Sequence, residues 1–435
     1  MGVFSSTIGR RDFIKGSGAL LAASALPFSS FSADRPVRLG IVGVGGRGTS
    51  MLKVALSIEG VQVVAVCDIV EERVARAQRL VEDAGQPKPK GYSRGPEDYK
   101  RLVEQNDLDA VYTATPFDLH TPVMLAAMRA GKYGGTEMPA CFTLDEAWEL
   151  VETSEKTGMP CMLMENYCYM RNVQMILNMV NQQAFGVLTH CEVGYQHDTR
   201  YVNFDSSGEL LWRGHVKLNH NGNLYPTHAI GPVSQWLDVN RGDRLDYLVS
   251  MSSRAAGMKR YAEKLGGKDH PSTKLDYAMG DVNTTLIKTH NGITITLYYD
   301  TQTPRPVDFI WRIQGTEGIY SGTLNKLHLE GRSPSHRWED ASEYLDEYDH
   351  PNWKKYGKVA KETGHGGSDY LCMLDFVTAV RNKTETPIDV YDAVTWSIIT
   401  ELSEKSVKSG SRPVDFPDFT KGKWKTREPL GINLI

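Results

Sequence analysis

The chain lacks the cysteine pattern of either a disulfide scaffold or a zinc module. Its six cysteines, Cys67, Cys141, Cys161, Cys168, Cys191 and Cys372, sit inside apolar runs with no C-x-x-C pair, so they read as buried thiols. It lacks an excess of charge of either sign. A formal net charge of −4 leaves no electrostatic footprint for nucleic acid or for an anionic membrane. No internal repeat or low-complexity tract is visible. There is no H-E-x-x-H run and no carboxylate triad. His190, His197, His215, His220 and His228 supply imidazoles, but their spacing specifies no metal site. The apolar stretch near the N-terminus, residues 16–32, is too short and too polar for a spanning helix, which needs roughly 20 apolar residues.

What is present is enough chain, 435 residues, for two domains with sizeable cores. The N-terminus carries Arg10 and Arg11, then Asp12, Phe13, Ile14 and Lys15, then the Ala- and Ser-rich stretch. That order resembles a twin-arginine export signal over residues 1–33 and predicts an exported, periplasmic protein. Such signals carry proteins already folded, often with a cofactor inside.

From Val37 the pattern reads strand, glycine turn, helix, strand. "VRLGIVG" is a short apolar run ending in glycine, as a buried parallel strand should be. Gly43, Gly45 and Gly48 make G-x-G-x-x-G, with Gly46 and Arg47 in the same loop. "VQVVAVCD" is the next strand and ends at Asp68, where a ribose-binding carboxylate belongs. The glycines allow close approach to a pyrophosphate, and the acid favours NAD over NADP. β and α alternate to about residue 165, which predicts a doubly wound parallel sheet over residues 36–165. Strand-like runs then dominate, among them "VLTHCEVGYQ", "RLDYLVSMSS" and "TTLIKTHNGITITLYYDT", the last with a hairpin signal at "HNG". Residues 166–435 are expected to form an open, mostly antiparallel sheet closed by C-terminal helices.

This order resembles the Gfo/Idh/MocA oxidoreductases. "TATPFDLH" ends the third strand, "GGTEMPA" sits where that family has a Glu-Lys-Pro turn, and "NGNLYPTHAIGP" where it has a motif ending in histidine. Taken with "ENYCYMRNVQMILNMV", "GYQHDTR", "QGTEGIY", "EYDHPNWKK" and "GHGGSDY", the chain is similar to glycoside hydrolase family 109. The resemblance implies an NAD-dependent α-N-acetylgalactosaminidase. It implies cofactor contacts from Phe117, Asp118, Leu119, His120, Glu137, Met138 and Asn166, beside the glycine loop and Asp68. It implies substrate contacts from Tyr195, Arg213, Tyr225, Pro226, Thr227 and His228. Two departures separate the chain from sugar dehydrogenases: Met138 stands at the lysine of Glu-Lys-Pro, and Leu224 stands four residues before His228, where an Asp is usual. One separates it from the hydrolases: Val307 follows Arg305 and Pro306 where an aromatic contact is expected.

An ordinary glycosidase needs two carboxylates roughly 5 to 9.5 Å apart. The resemblance implies another route: oxidation at C3, deprotonation at C2, elimination of the aglycone, addition of water and re-reduction. NAD would then be bound tightly and not consumed. The expected catalytic set is Tyr195, His197, Tyr225, His228 and Glu165. Tyr195 and His197 alternate by two and so share a strand face; Tyr225 and His228 converge around a turn. A phenol needs a nearby positive charge to act as a base. Glu165 reads either as a buried acid or as a helix cap, and Arg213 either as a sugar contact or as a solvated loop residue. Besides the glycosidase on terminal N-acetylhexosamine, the residues leave two readings open. One is a periplasmic sugar oxidoreductase or epimerase, with Met138 against it. The other is a non-catalytic NAD-containing sugar-binding protein. Assembly as a homo-oligomer also stays open.

Overall fold

The computed structural model describes residues 35–431 and 434–435; the expected export segment lies outside the described residues. The apolar runs that end in glycine or a turn become β1 (Val37–Val42), β2 (Val61–Cys67), β3 (Lys90–Tyr92), β4 (Ala110–Thr113), β5 (Tyr133–Thr136) and β6 (Cys161–Leu163). They pair in the order β3-β2-β1-β4-β5-β6, every pair parallel. β4 and β6 are buried at every residue, as strands with both faces covered must be. The strand order reverses between β1 and β4, and ligands of such sheets bind at the carboxyl ends there. The glycine loop leaves β1 at that point.

The second sheet holds β7 (Leu188–Gln196), β8 (Leu245–Ser252), β9 (Asn283–Thr289), β10 (Thr294–Asp300), β11 (Asp308–Gly315), β12 (Gly318–Ser321), β13 (Lys326–Leu329), β14 (Glu339–Asp340) and β15 (Val414–Asp415). Its order is β14-β13-β12-β11-β7-β10-β9-β8-β15. Pairing is antiparallel except for β10 on β7. The "HNG" turn joins β9 to β10, with Gly292 at φ +96°. Along β10, Ile295, Leu297 and Tyr299 are buried and alternate with less buried residues. Helices Thr227–Trp236 and Ile399–Lys408 cover the inner face.

Six helices among the described residues escape the sequence pattern: the short Tyr99–Val103 and Leu345–Tyr348, and the longer Trp212–Asn219, Thr227–Trp236, Gly257–Gly266 and Pro351–Ala360. Thr227–Trp236 carries Gly231 and Pro232 in its interior, residues that read as breakers. A side chain would be crowded there: a Cβ on Gly231 would lie 3.1 Å from the Glu165 side chain and 3.1 Å from Trp396.

One buried ionic network ties the glycine loop to the C-terminal part of the chain. Arg47 donates to Glu137 at 2.7 Å and to both oxygens of Asp369, at 2.8 and 3.0 Å. Asp369 opens helix Ser368–Asn382, has no exposed surface, and also accepts from Asn166 and His365, each at 2.8 Å. Burial pushes the Asp369 carboxyl up, but the His365 hydrogen bond and the Arg47 charge outweigh it and hold it well below the usual range. A folded-state pKa below the unfolded value of about 3.9 adds stability above that pH, and the contribution is lost as pH falls below about 4. Arg47→Met leaves a buried carboxylate short of its main counter-charge. It should cost about 3 kcal/mol or more at pH 7, measured by urea unfolding, and the variant should show a shallower stability loss below about pH 4.

Candidate active site

A cavity of about 760 Å³ opens where the carboxyl ends of β1, β2 and β4 meet the inner face of the second sheet. Gly43 lines its floor at φ +83°, where a Cβ would strike the Ala114 backbone at 2.8 Å. Gly48 does not line the cavity: a Cβ there would lie 1.8 Å from the Gly43 carbonyl oxygen, so this glycine serves the turn itself. Beyond Gly46 there is open space, and Gly45 meets only the tip of Arg73, at 3.8 Å. No side chain caps helix Gly46–Leu56, so its first N–H groups and positive dipole end face the cavity. This is the shape a pyrophosphate needs.

Asp68 lines the same wall. Its carboxylate accepts from Val44 N–H and Val70 N–H, both at 3.0 Å, and Arg73 stands 3.5 Å away. It therefore braces the loop while retaining lone-pair directions for a ribose. Asn166 is buried, donates to Asp369, and leaves its Oδ1 without a partner. That orphaned acceptor on the cavity wall fits a carboxamide or ribose donor. These residues fit NAD.

Other expected cofactor contacts fare differently. The guanidinium of Arg47 is committed to Glu137 and Asp369, so the residue orders the loop. The ring nitrogens of His120 lie 2.7 Å from the Pro139 carbonyl and 2.9 Å from that of Thr115, which spends them on joining two loops. Asp118 is exposed and lies off the cavity, whereas Phe117, Leu119, Glu137 and Met138 line it. Met138 is buried and has no donor to offer.

The catalytic candidates converge. Glu165 follows β6, is fully buried, and accepts from Tyr167 N–H at 3.2 Å. Its Oε1 lies 2.6 Å from His228 Nδ1, so the same buried carboxylate caps the turn and meets an imidazole. With Nδ1–H donated to the carboxylate, His228 turns Nε2 outward as a base. His228 stacks on Tyr167, centroids 3.9 Å apart, and has Tyr225 and Tyr195 edge-on at 4.8 and 5.2 Å. Tyr195 and His197 both line the cavity, rings 6.2 Å apart. Burial pushes the phenols of Tyr195 and Tyr225 up, and the charge of Arg213 only partly opposes this. Burial also lowers His197. Without a cationic ligand beside them these tyrosines are proton donors.

Arg213 lines the cavity and lies over the rings of Phe117 and Trp212, 5.1 and 4.5 Å from their centroids. Pro226 and Thr227 lie off the cavity, at the start of the His228 helix. Val307 is half exposed and lines a second hollow with Met170, Phe309 and Trp311 rather than the main cavity, although Phe309 packs against Tyr167 and Tyr195 of that cavity. Sequence reasoning missed Tyr167, Trp212 and Lys217. Tyr167 lay in a quoted motif, next to Glu165; Lys217 had no signal beyond its place between Arg213 and the "NGNLYP" turn. Among the described residues no group of three His, Cys, Asp or Glu is placed to hold a metal ion.

Comparison with known proteins agrees in both halves. Residues 37–165 match the model of an oxidoreductase family with an NAD-binding Rossmann fold, and residues 169–426 match that of the glycosyl hydrolase 109 C-terminal domain. A glycosyl hydrolase family 109 protein from Stenotrophomonas maltophilia is 42% identical over 442 residues, covering 97% of this chain and 97% of the relative. A protein from Tannerella forsythia named alpha-N-acetylgalactosaminidase is 39% identical over 416 residues, covering 91% of this chain and 89% of its own. Among solved structures, a levoglucosan dehydrogenase in complex with NADH superposes with TM-score 0.69 at 18% identity, over 88% of this chain and 100% of that one; this likeness shows the fold. With an NAD-type cradle and a carboxylate-backed imidazole lining one cavity, and full-length relatives at this identity, the chain belongs to glycoside hydrolase family 109 and is an NAD-dependent glycosidase.

Proposed function

We propose that the enzyme releases terminal N-acetylgalactosamine from α-linked glycans, and that its NAD stays bound and is not consumed. The observation that carries the mechanism is His228 on the cavity that also holds the glycine loop, backed from behind the wall by Glu165 at 2.6 Å. The sugar is supported by the name of the Tannerella forsythia relative. When bound, NAD supplies the acceptor and later the donor of a hydride at C3 of the sugar.

The chain's residues then handle protons. Glu165 holds His228 in the tautomer that presents Nε2, the base suited to the C2 proton that a C3 ketone acidifies. The Tyr195 and Tyr225 phenols, both on the cavity, then exchange protons with the C3 hydroxyl and the departing oxygen. Elimination across C1 and C2 followed by addition of water is net hydrolysis. Met138 offers no ammonium for net oxidation of a hydroxyl, which weighs against a dehydrogenase. The paired arginines near the N-terminus support export to the periplasm in folded form. A redox-neutral cycle suits that location, because no soluble system is needed to regenerate the cofactor.

Hydrolysis in D₂O should place deuterium at C2 of the released sugar, read by NMR; protium retained there, with sugar still released by protein stripped of NAD, would mean a conventional displacement. Glu165→Gln and Tyr195→Phe should each lower kcat by roughly 10²-fold or more while the protein keeps its NAD through gel filtration, read by ultraviolet absorbance. Replacing Arg10 and Arg11 together by lysine should leave active enzyme in the cytoplasm, checked by fractionation; undiminished periplasmic activity counts against twin-arginine export.

A further inference from the structure

Lys217 lines the cavity and is only 6% exposed. Its ammonium donates to Thr301 Oγ1 at 2.7 Å, and that hydroxyl donates to the Tyr299 phenol oxygen at 3.0 Å. Among the described residues no carboxylate pairs with it. The acids around it are already engaged. Asp300 accepts from Arg305 at 3.1 Å, Asp198 is bound to Arg200 at 2.7 Å, and Asp281 accepts the amides of Ala256 and Gly257. Lysines buried to this degree are almost always ion-paired, because an uncompensated charge loses its hydration.

Arg213 lies four residues earlier on the same helix, hence on the same face. It too lines the cavity, resting on aromatic rings and forming no ion pair among the described residues. Two like charges thus share one helical turn, and among the described residues no carboxylate forms an ion pair with either. Each of the amine's two remaining N–H directions still needs an acceptor.

We infer that Lys217 and Arg213 form an anion subsite, so that the glycan cleaved here carries a negative group, a sugar carboxylate or a sulfate ester, on the unit bound beside them. The proposal rests on the glycosidase reading for its substrate class. The anion completes both cations at once and removes their mutual repulsion. Burial first, and then the Arg213 charge, push the Lys217 amine down to about 7, against the pull of Asp300, Asp198 and Asp281. The groups facing it are Arg213 from its own helix, Asp300, Thr301 and Tyr299 at the end of β10, Asp198 after β7, and Asp281 ahead of β9. Since the free amine loses its proton as pH rises through about 7, anion binding should weaken over that range.

The test is calorimetric binding of three methyl glycosides to the NAD-loaded protein: a neutral N-acetylgalactosaminide, its O-sulfated form and a galacturonide. At least one anionic glycoside should bind roughly tenfold or more tighter than the neutral one, and which one does so distinguishes sulfate from carboxylate. The preference should decline as pH rises through about 7, and Lys217→Met should shrink both the preference and its pH dependence. His197 also faces the cavity, and the variant separates its titration from that of Lys217. Equal or weaker binding of both anionic glycosides would overturn the subsite, as would an unchanged preference in folded Lys217→Met. The wild-type comparison decides the matter even if the variant does not fold. Cleavage of aryl forms of the same three sugars, followed in parallel, keeps the two readings apart. Anion preference without any cleavage overturns the glycosidase reading alone, whereas cleavage without anion preference overturns the subsite alone.

Discussion

The contact on which the site depends is the hydrogen bond between Glu165 and His228. A carboxylate with no exposed surface is costly unless its oxygens are answered. One of them is answered by an imidazole from 63 residues along the chain and by the Tyr167 amide. To bring the imidazole that close, helix Thr227–Trp236 packs against the turn after β6, where Gly231 leaves room beside Glu165 and Trp396. The pair therefore joins the end of the parallel sheet to the helix that covers the second sheet. Its placement makes one cavity out of two architectures.

The walls of that cavity divide the labour. One side is backbone: a glycine turn, the open end of a helix, and a carboxylate that braces the loop. The other is aromatic and imidazole surface, Tyr167, Tyr195, Tyr225, His197 and His228, with Arg213 and Lys217 at its cationic flank. The aromatic rings exclude water and raise the phenols above their ordinary range. A positive charge brought among them acts in the opposite sense, so their proton affinity answers to what is bound.

The residue missing from the site is as informative as those present. With Met138 at the turn after β5 there is no ammonium beside the cofactor cradle to stay with a simple alcohol oxidation. The nearest comparable amine in the cavity wall, Lys217, sits on the Trp212–Asn219 helix and points its hydrogen bond toward Thr301. A Rossmann scaffold of a redox family here serves an NAD-dependent glycosidase.

The sequence by itself determined the parallel sheet, the glycine cradle and the aromatic and histidine candidates. These rest on local rules: apolar runs, glycine at a strand-to-helix turn, alternation by two along β7. It also showed the loss of the lysine, since an absence needs no coordinates. Only the tertiary structure decided what Arg47, His120 and Asp369 do, because their partners lie up to 322 residues away and no spacing rule spans that distance. The His228 helix was hidden for a related reason: Gly231 and Pro232 read as breakers locally, but packing against Glu165 and Trp396 outweighs propensity. Lys217 looked like any lysine of a polar stretch. Its burial, and the absence of an ion-paired acid among the described residues, are properties of the folded cavity, since charge compensation is set by three-dimensional neighbours and not by neighbours in the chain.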